Sequence, residues 1–229
     1  MYKQSLPRKI FISNIDSIAS KIGEIDKLSC SNKLKQMVFC AGIIECSSSL
    51  EGYIEQISSG WIQNLHKEKL TNKSLPAELR YFIYGNAVKS CYAKYLLYRD
   101  EGQFIQSVRD TNNLILHDNE EINVKDIISY AILDLTYPSV DNIQKIFKRF
   151  GIIDIFGMTS KELRTNSRFL LQSFMDIRGS VAHSYPPAKQ FTMLDVKKHL
   201  DDIKRFIGAL DRILASHFSS LSGEKCWPT

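Results

Sequence analysis

The chain has 229 residues, 44% of them hydrophobic and 24% charged, the balance of a folded globular protein rather than a disordered or collagen-like one. Its net charge of +5 suits weak steering toward a polyanion but is too dispersed to define a nucleic-acid-binding domain by itself. The longest uncharged apolar stretch, "MVFCAGII", falls far short of the ~18–20 residues that cross a bilayer, so no membrane association is expected.

The opening "MYKQSLPRKIF" has no apolar segment of the kind a secretory leader carries, so none is expected. Ile12, Ile15, Ile22 and Ile25 then recur at helical steps, predicting an amphipathic helix over about 8–28. A second helix is predicted over about 32–65, with Ile43, Leu50, Ile54, Ile57 and Trp61 on one stripe. Small residues crowd its middle, "CAGIIECSSS", and allow a neighbouring helix to approach closely. "LPAELRYFIYGNAVKSCYAKYLLY" reads as a third helix with Pro76 near its first turn, where a missing N–H costs nothing. Residues 100–138 lack a clear period, and "DTNNLILHDNEEINVKD" reads as a loop or a short strand pair within an insertion. A short fourth helix is predicted over 139–150.

Thr159 to Glu162, "TSKE", has the form of a capping box and is expected to open a helix through Leu163, Leu170, Leu171 and Phe174. After "YPP", Thr192 with Asp195 three residues on marks a further start. From there Leu194, Ile203, Ile207, Leu210, Leu214 and Phe218 trace a long closing helix. The expected fold class is all-α, a helical bundle forming one domain over 1–229, with a less regular insertion around 100–138.

Five cysteines, at 30, 40, 46, 91 and 226, form no C-x-x-C pair and are odd in number. They are expected to be reduced thiols of a cytoplasmic protein, three of them core filler. The five histidines are scattered, with no H-x-x-x-H or H-E-x-x-H, and no G-x-G-x-x-G or P-loop is present, so neither a metal nor a cofactor is expected. The basic runs "KRF" and "VKKHLDDIKRF" read as solvated helix faces. What remains is Arg178-x-x-x-x-His183, in "FMDIRGSVAHSY". The spacing recurs at Arg212 and His217, "RILASH", but inside the closing helix, where "IL" serves the core and the polar residues are expected to face water. The first pair lies at a helix end, beside Gly179 and just before a double proline. Read alone, it is either an arginine near a helix terminus with a hydrogen-bonded core histidine, or a cation and a titratable ring set out for chemistry.

A helix ending in Arg-x-x-x-x-His with apolar Val181 and Ala182 before the histidine, then a turn and the long amphipathic "TMLDVKKHLDDIKRFIGALDRIL", resembles the HEPN superfamily. Upstream, "FCAGIIECSSSLEGYIEQI" is similar to the N-terminal helix of RiboL-PSP-type HEPN domains, which often carry an acid before an aromatic and an aliphatic residue. Glu51 in "LEGYI" matches that acid better than Glu45 does. Gly179 stands where the family usually has a polar residue, often Asn.

The resemblance implies a metal-independent endoribonuclease that uses the RNA's own 2′-OH and leaves a 2′,3′-cyclic phosphate, with Arg178, His183 and Glu51 as its site residues. Histidine titrates in the working range and serves as base or acid. Arginine stays charged, and its planar fork matches phosphate oxygens. Glu51 either orients the histidine or is a solvated acid at the edge of the Leu50–Ile54 stripe. Five residues along a regular helix turn through about 500°, setting Arg178 and His183 about 140° apart. Either the helix breaks at Gly179, or a twofold homodimer brings two copies of the motif into one cleft, as HEPN relatives typically do. The resemblance further implies a toxin or antiviral-defence effector, with RNA as substrate and an antitoxin or defence-system protein as partner. The same sequence also fits a non-catalytic HEPN-like helical dimer that scaffolds partners, a reading favoured by Gly179.

Overall fold

Eight α-helices among the described residues build the fold: α1 (Leu6–Lys27), α2 (Asn32–Lys67), α3 (Ala77–Tyr98), α4 (Glu101–Asp110), α5 (Val140–Arg149), α6 (Ile155–Leu163), α7 (Ser167–His183) and α8 (Met193–Ser222). The computed structural model describes residues 2–110, 113–122, 127–128, 137–183 and 190–222. Among these no strand occurs, and the sole β-type pairing is an isolated bridge between Thr71 and Glu121. The fold is all-α, as the periodicity predicts.

Local chemistry starts the helices where the sequence places them. Ser5 accepts from Arg8 N at 3.1 Å and Pro7 lies in the first turn of α1. Ser31 caps α2 by accepting from Leu34 N at 3.3 Å. At α8 the Thr192–Asp195 pair is a reciprocal capping box, with Asp195 N donating to Thr192 Oγ1 at 3.1 Å and Thr192 N donating to Asp195 Oδ2 at 3.0 Å.

The core is the four-helix packing of α1, α2, α7 and α8. α1 buries Phe11, Ile15, Ile18 and Ile22 at three- and four-residue steps. The predicted α2 stripe of Ile43, Leu50, Ile54, Ile57 and Trp61 is buried throughout. α1 and α2 pack so closely at Gly42 that a Cβ there would lie 2.8 Å from Ile22 Cδ1. Farther along, Trp61 stacks on Phe218 of α8 with ring centroids 4.3 Å apart and meets Phe150 edge-on. Gln36, nearly buried, donates to Phe191 O at 2.7 Å and accepts from Phe191 N at 2.9 Å, which ties the approach to α8 onto α2. Cys40 and Cys46 are core filler, and burial pushes the Cys46 thiol up to about 12. Cys30 and Cys91 are half-buried, and Cys226 lies outside the described residues.

Three sequence expectations are corrected. "TSKE" caps nothing: it lies within α6, which Asp154 caps by accepting from Gly157 N at 2.8 Å, while Thr159 is buried and donates to Ile155 O. The helix expected to run on through Phe174 stops at Arg164, in the left-handed region at φ 54, and α7 restarts after Asn166, whose side chain accepts from Phe169 N. Within the expected insertion, Glu101–Asp110 is a regular helix, while Asn113–Leu116 forms a 3₁₀ turn, in keeping with the loop reading of that stretch and not with a strand pair. Arg80 staples this segment to α3, donating to Ile115 O and Leu116 O and pairing with Asp118 at 2.7 Å. The rest of the insertion lies in part outside the described residues. No helix among the described residues is long and apolar enough to cross a membrane.

Candidate functional site

Arg178 and His183 lie in the last turns of α7, and Glu51 lies on α2, against which α7 packs. Leu171, Phe174, Met175 and Val181 are buried and set the rotation of α7. That rotation leaves Arg178 half-buried and His183, the last helical residue, exposed. α7 runs through Gly179 as a continuous helix, so the turn of about 140° between Arg178 and His183 is retained. A Cβ at Gly179 would meet nothing within 4 Å, and Ser180 and Ala182 are exposed beside it.

The setting of Arg178 differs from that of Arg80 and Arg212, and is shared in part by Arg8, whose Nε is also buried without a hydrogen bond, and by Arg149, which lies over the Phe82 ring at 3.6 Å. Arg80 is saturated by two carbonyls and a carboxylate, and Arg212 pairs with Glu162 at 2.7 Å. Among the described residues Arg178 has no such partner, and its Nε is buried without a hydrogen bond. What it has instead is the ring of Tyr137, with Cζ 4.8 Å from the ring centroid. Tyr137 was not legible as a site residue, because ring stacking between distant segments leaves no sequence period.

Glu51 is half-buried beside Leu50, Tyr53 and Ile54, at the edge of the α2 stripe. Burial raises its carboxyl and the nearby Arg178 guanidinium lowers it. The electrostatic partner of Glu51 is therefore Arg178, and no hydrogen bond joins Glu51 to His183 among the described residues. Among the described residues no three His, Cys, Asp or Glu converge as metal ligands.

The second Arg-x-x-x-x-His pair has a different setting, and it departs from the expectation that its polar residues simply face water. His217 is half-buried, and its Nε2 donates to Phe150 O at 2.7 Å, closing the turn after α5 where Gly151 takes φ 82. Arg212 is occupied by Glu162. Arg212→Ala and His217→Ala should therefore leave RNA cleavage within a few-fold of wild type, since an exposed ion pair contributes about 0–1 kcal/mol. Loss of cleavage in these variants with His183→Ala still active would show the other pair to be the functional one.

These features define an all-helical bundle with a ring-stacked arginine and an exposed histidine at the end of its penultimate described helix. The RiboL-PSP-HEPN family model matches residues 10–216, and the chain belongs to that family. No curated protein and no solved structure matches the chain.

Proposed function

We propose that the protein is an endoribonuclease that cleaves RNA through Arg178 and His183, with Glu51 in support, at a composite site formed by two copies of the chain. The observation that carries this reading is the guanidinium of Arg178: a half-buried arginine is ordinarily paired, and among the described residues this one has its Nε buried without a hydrogen bond and rests on the Tyr137 ring. Family membership supports the same chemistry. Arg178 places positive charge on the phosphorane oxygens, where charge develops in the transition state. His183 takes the 2′-OH proton or supplies one to the leaving 5′-oxygen. The offset of about 140° along an unbroken helix keeps one phosphate from meeting both groups of one chain. A twofold partner resolves this, and the bare face of Gly179, Ser180 and Ala182 leaves room for it to approach. The setting that fits is a toxin or defence effector held in check by a partner protein.

The reaction needs only the 2′-OH as nucleophile, so cleavage is expected to persist in EDTA and to yield 2′,3′-cyclic phosphate and 5′-hydroxyl ends, with 2′-deoxy or 2′-O-methyl substrates uncut. End-group analysis with and without chelator tests this, together with light scattering for the dimer. A 3′-hydroxyl product, or a strict monomer that cleaves at full rate, would overturn the composite-site mechanism.

A further inference from the structure

We infer that Tyr137 is a positioning residue: its ring seats the Arg178 guanidinium so that the N–H donors stay unengaged until a phosphate arrives. The inference rests on the ribonuclease reading above and assigns a role to a residue that reading does not contain.

The argument starts with what holds Arg178 still. A long arginine side chain loses rotamer freedom when it binds a phosphate, unless something has fixed it beforehand. Carbonyls or a carboxylate would fix it, as they do for Arg80, but each would occupy N–H groups that a phosphate needs. An aromatic face holds a cation through its quadrupole and takes no hydrogen bond from it. The Tyr137 ring has that relation to Arg178, with 4.8 Å from Cζ to the ring centroid. Glu51 adds the field of an opposite charge without a direct ion pair, so it too leaves the donors open.

The ring is itself anchored. Tyr137 packs against the hydrophobic core. Its carbonyl accepts from Ser139 N at 2.9 Å and from Asn142 Nδ2 at 2.8 Å. Ser139 is the N-cap of α5, accepting from Asn142 N at 3.1 Å. The start of α5 and the end of α7 are thus linked through one ring, and a rigid helix start sets where the guanidinium sits. The seat belongs to the substrate-binding edge of Arg178 and takes no part in proton transfer.

The test compares Tyr137→Phe, which keeps the aromatic face, with Tyr137→Leu, which keeps an apolar side chain and loses it. Cleavage of an RNA oligonucleotide by Tyr137→Phe should stay within about 3-fold of wild type, and Tyr137→Leu should lose about 10-fold in kcat/KM, the range a desolvated cation–π contact supports. Thermal unfolding of the two variants should agree within a few degrees, because both retain the packing. Independently, the Arg178 Nε–H resonance should lie at high field in wild type and in Tyr137→Phe, from the ring current, and return to its ordinary position in Tyr137→Leu. If Tyr137→Leu cleaves like wild type while Arg178→Ala does not, the positioning role is overturned and the ribonuclease reading stands. If wild type cleaves no RNA, that reading falls and takes the role of Tyr137 in phosphate binding with it. In that case the Nε–H resonance still decides whether the seat exists, and an unshifted wild-type signal overturns it as well.

Discussion

Replacing His183 with Ala is expected to lower RNA cleavage by about 10²–10⁴-fold, the usual contribution of a positioned proton carrier. The size of the effect follows from position. His183 is exposed at the last residue of α7. Its removal should therefore leave the melting temperature unchanged within a degree or two, separating lost chemistry from lost folding. Arg178→Lys should fail for a different reason: the ammonium keeps the charge but not the bidentate fork, and it rests less well on the Tyr137 ring. Steady-state cleavage of a defined oligoribonucleotide, measured beside a thermal melt for each variant, checks both. A His183→Ala protein cleaving within 10-fold of wild type would remove the histidine from the mechanism. Growth arrest on overexpression, relieved by the same substitution, would separate a catalytic effector from a scaffold.

Strong local signals made most of the bundle legible in the sequence. α1, α2 and α8 follow isoleucine, leucine and aromatic stripes, and the start of α8 is marked by the Thr192–Asp195 pair, while the Ser5 and Ser31 caps of α1 and α2 come from the structure. The crowded small residues in α2 also read correctly, since Gly42 is where α1 comes close. "TSKE" misled because a capping box is a statement about spacing alone. Asp154, five residues earlier, already caps that helix, and buried Thr159 bonds with Ser167 and the backbone in the corner between α6 and α7. The insertion was legible only as a loop or a strand pair because what holds it is long-range: Arg80, far away in sequence, donates to the carbonyls of Ile115 and Leu116. At the candidate site, the motif singled out Arg178 and His183, and the acid before an aromatic singled out Glu51. Tyr137 had no signal, and neither did the closeness of Glu51 to Arg178, since both depend on how α2, α5 and α7 pack.

The largest stability effect is expected at Asp211, a fully buried carboxylate on α8 that sequence reasoning passed over. It accepts from Ser5 N at 3.2 Å, from Tyr53 OH at 3.0 Å, and from Ser5 Oγ and Tyr2 OH. Arg8 Nη1 donates to Tyr2 OH at 2.7 Å, bringing a cation to the edge of the cluster. One side chain thereby joins the N-terminal segment, α2 and α8, and Tyr53 is two residues along α2 from Glu51. Asp211→Ala leaves the fully buried Tyr53 hydroxyl and the Ser5 cap without their acceptor, at a cost of about 3 kcal/mol. For a chain of this size that lowers the melting temperature by about 6–12 °C. Asp211→Asn should cost less, because one amide oxygen still accepts. The pH dependence carries the same signature. Burial first, and the Asp211 carboxylate after it, push the Tyr2 hydroxyl from its ordinary 10.0 up to about 12, and Tyr53 moves in the same direction. A raised phenol favours the protonated fold, so its contribution is complete below pH 10 and is lost as pH rises toward 12. Denaturant titrations between pH 8 and pH 12 should show wild type losing stability steeply in that upper window. Asp211→Asn should start lower and lose less, since part of the upward push on both phenols is gone. Parallel pH profiles for the two proteins would show that the carboxylate is not the centre of this cluster.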